Sequence, residues 1–79
     1  SGSVFRNPPG EKAGRLIEEL NLKGYSIGGA GISIKHANFI VNKGGAKAGD
    51  VLKVIEHVRN EVLEKMGIEL EVEIILVGD

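Results

Sequence analysis

The sequence predicts an α+β fold, a two-layer sandwich with two helices on one face of a mixed β-sheet. Three observations predict it. Two stretches carry apolar residues at helical spacing, one from Ala13 to Leu20 and one from Val51 to Met66. The remaining apolar segments are short, and alternate or run continuously as strands do. Glycine, proline and asparagine punctuate the joins. The expected order is β-α-β-β-α-β.

The elements follow in chain order. Val4 and Phe5 open the apolar pattern, and Asn7-Pro8-Pro9-Gly10 then forces an extended or turning chain. Ala13, Leu16, Ile17 and Leu20 share one helix face, with Arg15, Glu18 and Glu19 opposite, and Gly24 is the expected stop. Between Tyr25 and Ile34, Gly28, Gly29 and Gly31 interrupt Ile27, Ala30 and Ile32, which reads as a strand weakened by a bulge. Phe39-Ile40-Val41-Asn42 is a better strand, ended by Asn42 and Gly44-Gly45. Val51, Ile55, Val58, Val62 and Met66 line the long helix, which Gly67 closes. Leu70, Val72 and Ile74 alternate with Glu71 and Glu73 before the apolar run to Val77, giving a last strand.

Composition limits what this domain can do. The 79 residues are expected to form one domain over 1–79, near the lower size at which a core alone holds a fold. Cysteine is absent, so neither disulfides nor thiolate metal sites support the core. A net charge of −1 offers no footprint for nucleic acid or an anionic membrane. The longest apolar run, Ile74 to Val77, is far below the roughly 20 residues a spanning helix takes. No signal-peptide pattern is visible, so a soluble cytoplasmic protein is the expectation.

Several motifs admit a bland and a functional reading. Gly28-Gly29-Ala30-Gly31 invites a phosphate cradle, but it lacks the Lys-Ser/Thr ending of a P-loop and opens no helix. A bulged strand is the favoured reading. Lys35-His36-Ala37-Asn38 is either a polar turn or a ligand-recognition loop, and composition favours the turn. His57 lies between core positions of the long helix and is expected in solvent. The acidic residues and histidines lack metal-site spacing. Taken alone, Ser3 reads as a polar residue at a chain end and Glu73 as an outward-facing charge.

Gly2-Ser3-Val4-Phe5-Arg6-Asn7-Pro8 resembles the Gly-Ser-x-Phe-Lys-Asn-Pro signature of UDP-N-acetylenolpyruvoylglucosamine reductases, the MurB family. Ala13 to Glu18, Leu22-Lys23-Gly24, Gly28-Gly29-Ala30, Lys35 to Asn42 and Gly67 to Ile74 agree with further family blocks in order and spacing. The match covers nearly the whole chain. It implies the C-terminal, substrate-binding domain of an enzyme that reduces UDP-N-acetylglucosamine enolpyruvate to UDP-N-acetylmuramate in peptidoglycan synthesis. In that family NADPH reduces a bound FAD, which passes hydride to the enolpyruvyl double bond. Ser3 matches the general acid, and Glu73 matches a glutamate that stabilises the enol-like intermediate with an arginine from another domain. Both roles suit a reaction that builds negative charge beside a carboxylate. Arg6, Asn7 and His36 match substrate-binding positions, with Arg6 standing where the family usually has lysine.

The departures carry expectations too. The FAD-binding domains and the partner arginine lie N-terminal to the serine in the family, and none of that sequence is present. Neither FAD nor NADPH is therefore expected on this domain alone, and it is expected to be inactive. Val72 replaces a usual proline, Ile75 a usual arginine, and Lys47 a threonine that caps the long helix. These changes keep a second reading open, a natural or engineered structural module that holds the fold without binding ligand. A small RNA-binding domain is a third, disfavoured by neutral charge and the absence of stacking aromatics. The apolar last strand, where flavin domains would dock, also leaves room for self-association.

Overall fold

The computed structural model describes residues 3–73. Its elements are α1 (Ala13–Glu19), β1 (Ser26–Ile27), β2 (Ala30–Ile32), β3 (Ile40–Asn42) and α2 (Ala48–Met66). The fold is α+β. β1, β2 and β3 form an antiparallel sheet in that order, with Ile27 opposite Ala30 and Gly31 opposite Val41. The outer strands expected at the two ends are represented by one antiparallel bridge, Phe5 to Val72. The expected last strand lies outside the described residues from 74 onward.

α2 follows its sequence pattern closely. Val54, Ile55, Val58 and Val62 are buried on one face, at the spacing that stacks side chains along a helix. Gly67 ends it at φ 70° and donates its N–H to the Leu63 carbonyl at 2.9 Å. The start needs a different account, because Lys47 stands at the N-cap and a lysine side chain has no acceptor. Asp50 supplies half of the capping box instead, its Oδ2 accepting the Lys47 N–H at 3.2 Å.

α1 stops earlier than expected. Its last helical residue is Glu19, and Asn21 turns the chain at φ 58°, a conformation asparagine tolerates better than most residues. Gly24 serves the next turn, donating its N–H to the Ile32 carbonyl at 2.9 Å. The glycine-rich stretch also differs from the bulged strand expected. It is a hairpin that reverses at Gly28-Gly29, with Gly28 at φ 56°. A Cβ on Gly29 would lie 2.4 Å from the Gly44 carbonyl oxygen, so glycine here lets the 43–46 loop close onto the turn.

Both helices and the sheet share one core, to which Val4, Phe5 and Leu70 from the two ends also belong. Phe5, Ile17, Ile32, Leu70, Val4 and three α2 valines are its largest fully buried side chains. His57 is half-buried rather than in open solvent. Its ring stacks on Tyr25, the residue just before β1, with centroids 4.1 Å apart and planes at 10°, so Tyr25 shields it. No helix among the described residues is long and apolar enough to cross a membrane.

Candidate functional site

The site is built on a clamp. The segment Val4-Phe5 runs between the 33–39 loop on one side and residues 71–73 on the other. Val4 donates its N–H to the Asn38 carbonyl at 2.8 Å, and its own carbonyl accepts from the Glu73 N–H at 2.7 Å. The Asn38 side chain completes the set. Its Oδ1 accepts the Phe5 N–H at 3.0 Å and its Nδ2 donates to the Phe5 carbonyl at 2.8 Å. All four backbone groups of Val4 and Phe5 are thus paired, as burial demands. Arg6 then donates its N–H to the Glu71 carbonyl at 2.9 Å.

This arrangement sorts the five site residues predicted from sequence. Ser3 is half-buried immediately before the clamp, and Glu73 is exposed opposite Val4. His36 is exposed two residues before Asn38, its ring 5.5 Å from that of Phe39. Ser33 Oγ shapes that loop by accepting the N–H groups of Lys35 and His36, both at 3.1 Å. The segments bearing Ser3, His36 and Glu73 therefore meet at the clamp. Arg6 and Asn7 lie farther along, in a surface groove of about 310 Å³ shared with Pro8, Pro9, Glu69 and Glu71.

Asn7 is partly committed to the fold. Its Oδ1 accepts the Ala13 N–H at 2.9 Å, satisfying one of the orphan donors at the start of α1. Its amide nitrogen and the second lone pair of Oδ1 remain for a ligand. The Arg6 guanidinium is 4.0 Å from Glu71 with both side chains largely exposed, a pairing that contributes little to stability. In the sequence Asn38 is only one polar member of the 35–38 cluster. Its signal was its place between Ala37 and the apolar run beginning at Phe39, and its amide turns inward onto backbone.

The phosphate-cradle reading of Gly28-Gly29 fails on electrostatics. The Asp50 carboxylate already sits at the turn, 3.4 Å from the Gly29 N–H, and a Cβ on Gly28 would lie 2.5 Å from its Oδ2. A phosphate approaching that amide would meet a like charge. Among the described residues, no group of three His, Cys, Asp or Glu residues is placed to hold a metal ion.

The family model for UDP-N-acetylenolpyruvoylglucosamine reductase, C-terminal domain, matches residues 1–77. The chain belongs to that family. A UDP-N-acetylenolpyruvoylglucosamine reductase of Heliobacterium modesticaldum is 59% identical over 80 residues, covering 100% of this chain and 26% of the relative. One of Syntrophotalea carbinolica is 54% identical over 78 residues, covering 99% of this chain and 26% of the relative. The crystal structure of UDP-N-acetylenolpyruvylglucosamine reductase (MurB) from Thermus caldophilus is similar at a TM-score of 0.75 and 51% identity, over 91% of this chain and 26% of that one. The chain thus spans about a quarter of the length of the curated MurB relatives it matches.

Proposed function

We propose that this chain is the substrate-binding and proton-donating domain of a UDP-N-acetylenolpyruvoylglucosamine reductase, with the flavin-binding domains outside this sequence. One observation carries the reading. The Phe5–Val72 bridge joins the segments bearing Ser3 and Glu73, in a chain that matches the family's C-terminal domain from end to end. Sequence separation would otherwise leave those two residues unrelated.

Each residue then has a task. The Ser3 hydroxyl donates a proton to the carbon beside the substrate carboxylate. Glu73, with an arginine from outside this chain, balances charge as the enol-like intermediate forms. Asn38 positions both by holding the Val4-Phe5 backbone that lies between them. The Asn7 amide and the Arg6 guanidinium reach from the groove toward the nucleotide diphosphate, and His36 lies on the loop that lines the substrate site beside the clamp.

The described residues do not fit FAD. The glycine turn that resembled a pyrophosphate cradle faces the Asp50 carboxylate, and the Lys35-His36 loop folds back on Ser33. On this reading the chain supplies the substrate-binding part in cytoplasmic peptidoglycan synthesis, and hydride transfer from NADPH needs the FAD-binding portion. Mixing it with the separately produced N-terminal, FAD-binding portion of a family member tests this. Restored NADPH oxidation dependent on enolpyruvyl substrate, lost with Ser3→Ala, is the expected result. Activity undiminished by Ser3→Ala contradicts the role given to Ser3. A folded chain that binds no UDP-sugar favours the structural-module reading, which Lys47 at the helix start and Val72 in the seam keep standing.

A further inference from the structure

α2 carries a second ordered stripe, separate from the face that packs on the core. Leu52, Glu56, Arg59 and Leu63 are all exposed, the leucines at 54% and 49%. Their spacing of four, three and four residues keeps them on one face, as the a and d positions of a heptad do. The stripe flanks the buried set Val54, Ile55, Val58 and Val62. Beside it lies a groove of about 150 Å³ between α2 and the 69–70 segment, lined by Glu56, Arg59, Asn60, Leu63, Glu69 and Leu70.

The order of residues along the stripe selects a partner. Read from its N-terminal end it runs apolar, anion, cation, apolar; read from the other end it runs apolar, cation, anion, apolar. The spacing is the same in both directions. A second α2 laid antiparallel therefore sets Leu52 against Leu63 and Glu56 against Arg59, twice over, as a two-fold axis requires. Parallel pairing would instead set Glu56 against Glu56 and Arg59 against Arg59. At the flank, Lys53 lies near Asn60 of the other helix, and Glu69, which borders the groove, is balanced by Arg59 of its own chain. Each Leu52 can enter the groove beside Leu63 of the second copy.

We infer that this stripe is a self-complementary contact surface through which two copies of the chain pair α2 against α2, antiparallel. It is distinct from the seam at the chain ends. Arg59 is tied to its own chain, its Nε donating to the Leu70 carbonyl at 3.1 Å and its Nη2 lying 4.0 Å from Glu69, so the contact to Glu56 of the second copy falls to its other nitrogen. One helix pair falls below the roughly 1,200 Å² of a standard interface, so the association is weak and concentration-dependent.

Sedimentation equilibrium on the 79-residue chain, from about 10 µM to about 1 mM at low salt, tests the pairing. The expected result is an apparent mass rising from 8.4 kDa toward twice that value. Glu56→Arg should hold the mass at one chain, because it sets arginine against arginine. Arg59→Glu should do the same, and an equimolar mixture of the two variants should associate again, since every charge then meets its opposite. Because Arg59 also anchors Leu70, circular dichroism must show that Arg59→Glu is folded. If it is not, Leu52→Glu replaces it and should abolish association. A wild-type mass fixed at one chain, Glu56→Arg associating as the wild type does, or two folded single variants that fail to pair when mixed would each overturn the inference.

Discussion

Two junctions hold this domain together, and both use a single amide or carboxylate side chain to satisfy backbone groups. They differ in what they join. Asp50 accepts from Lys47, three residues away on its own helix, and from Gly29, so it fastens the start of α2 to the β1–β2 turn. Asn38 makes both of its side-chain bonds to Phe5, 33 residues away, and with residues 71–73 closes the seam between the chain ends. A junction resting in part on a bond three residues long, with its other bond spanning 21, can loosen while its neighbours persist. A seam made from distant pieces exists only when the whole fold does, and its loss leaves buried backbone groups unpaired.

The comparison is broken most severely at the seam. Phe5→Ala removes a fully buried ring from the core and should destabilise the chain by about 3–5 kcal/mol, read by urea unfolding. Asn38→Ala strands the Phe5 N–H and carbonyl and should cost roughly 2–4 kcal/mol. In hydrogen exchange it should deprotect Glu73 and Arg6 before the centre of α2. If α2 loses protection equally, the seam is not a separate unit.

The local junction should respond less. Asp50→Ala removes half a capping box and an acceptor for Gly29, and should cost about 1 kcal/mol in the same unfolding experiment. Lys47→Thr puts an acceptor at an N-cap that has none and should gain roughly 0.5–1 kcal/mol. The smallest effect is expected from Arg6→Ala, within about 0.5 kcal/mol, because its ion pair with Glu71 is largely exposed.

The same contrast explains which features were legible in the sequence. α2 was, because Val54, Ile55, Val58 and Val62 repeat at helical spacing and Gly67 marks the end, and all of these are local signals. The hairpin was not, because glycines at 28 and 29 suit a bulge as well as a turn. Only the approach of Gly44 and Ala46 decides between them. His57 read as solvated because its shield, Tyr25, lies 32 residues away, just before β1. α1 ends at Glu19, with the left-handed turn at Asn21 rather than first at Gly24, because asparagine too can turn left-handed, a weaker signal than glycine.

The candidate site divided in a similar way. Ser3, Arg6, Asn7, His36 and Glu73 came from resemblance to the family, since as isolated residues each has an ordinary polar reading. Their grouping depends on hydrogen bonds between segments far apart in sequence. Asn38 reaches across the seam, so its neighbours in sequence could not reveal its partner.

The central claim is that the seam forms one wall of a nucleotide-sugar site. Titrating the isotope-labelled chain with UDP-N-acetylglucosamine while following its amide resonances tests this most directly. The account predicts saturable shifts concentrated at residues 3–7, 35–38 and 71–73, weakened by Asn38→Ala. A folded chain whose resonances stay fixed at millimolar ligand, or shift only around Gly28-Gly29 and α2, would contradict it.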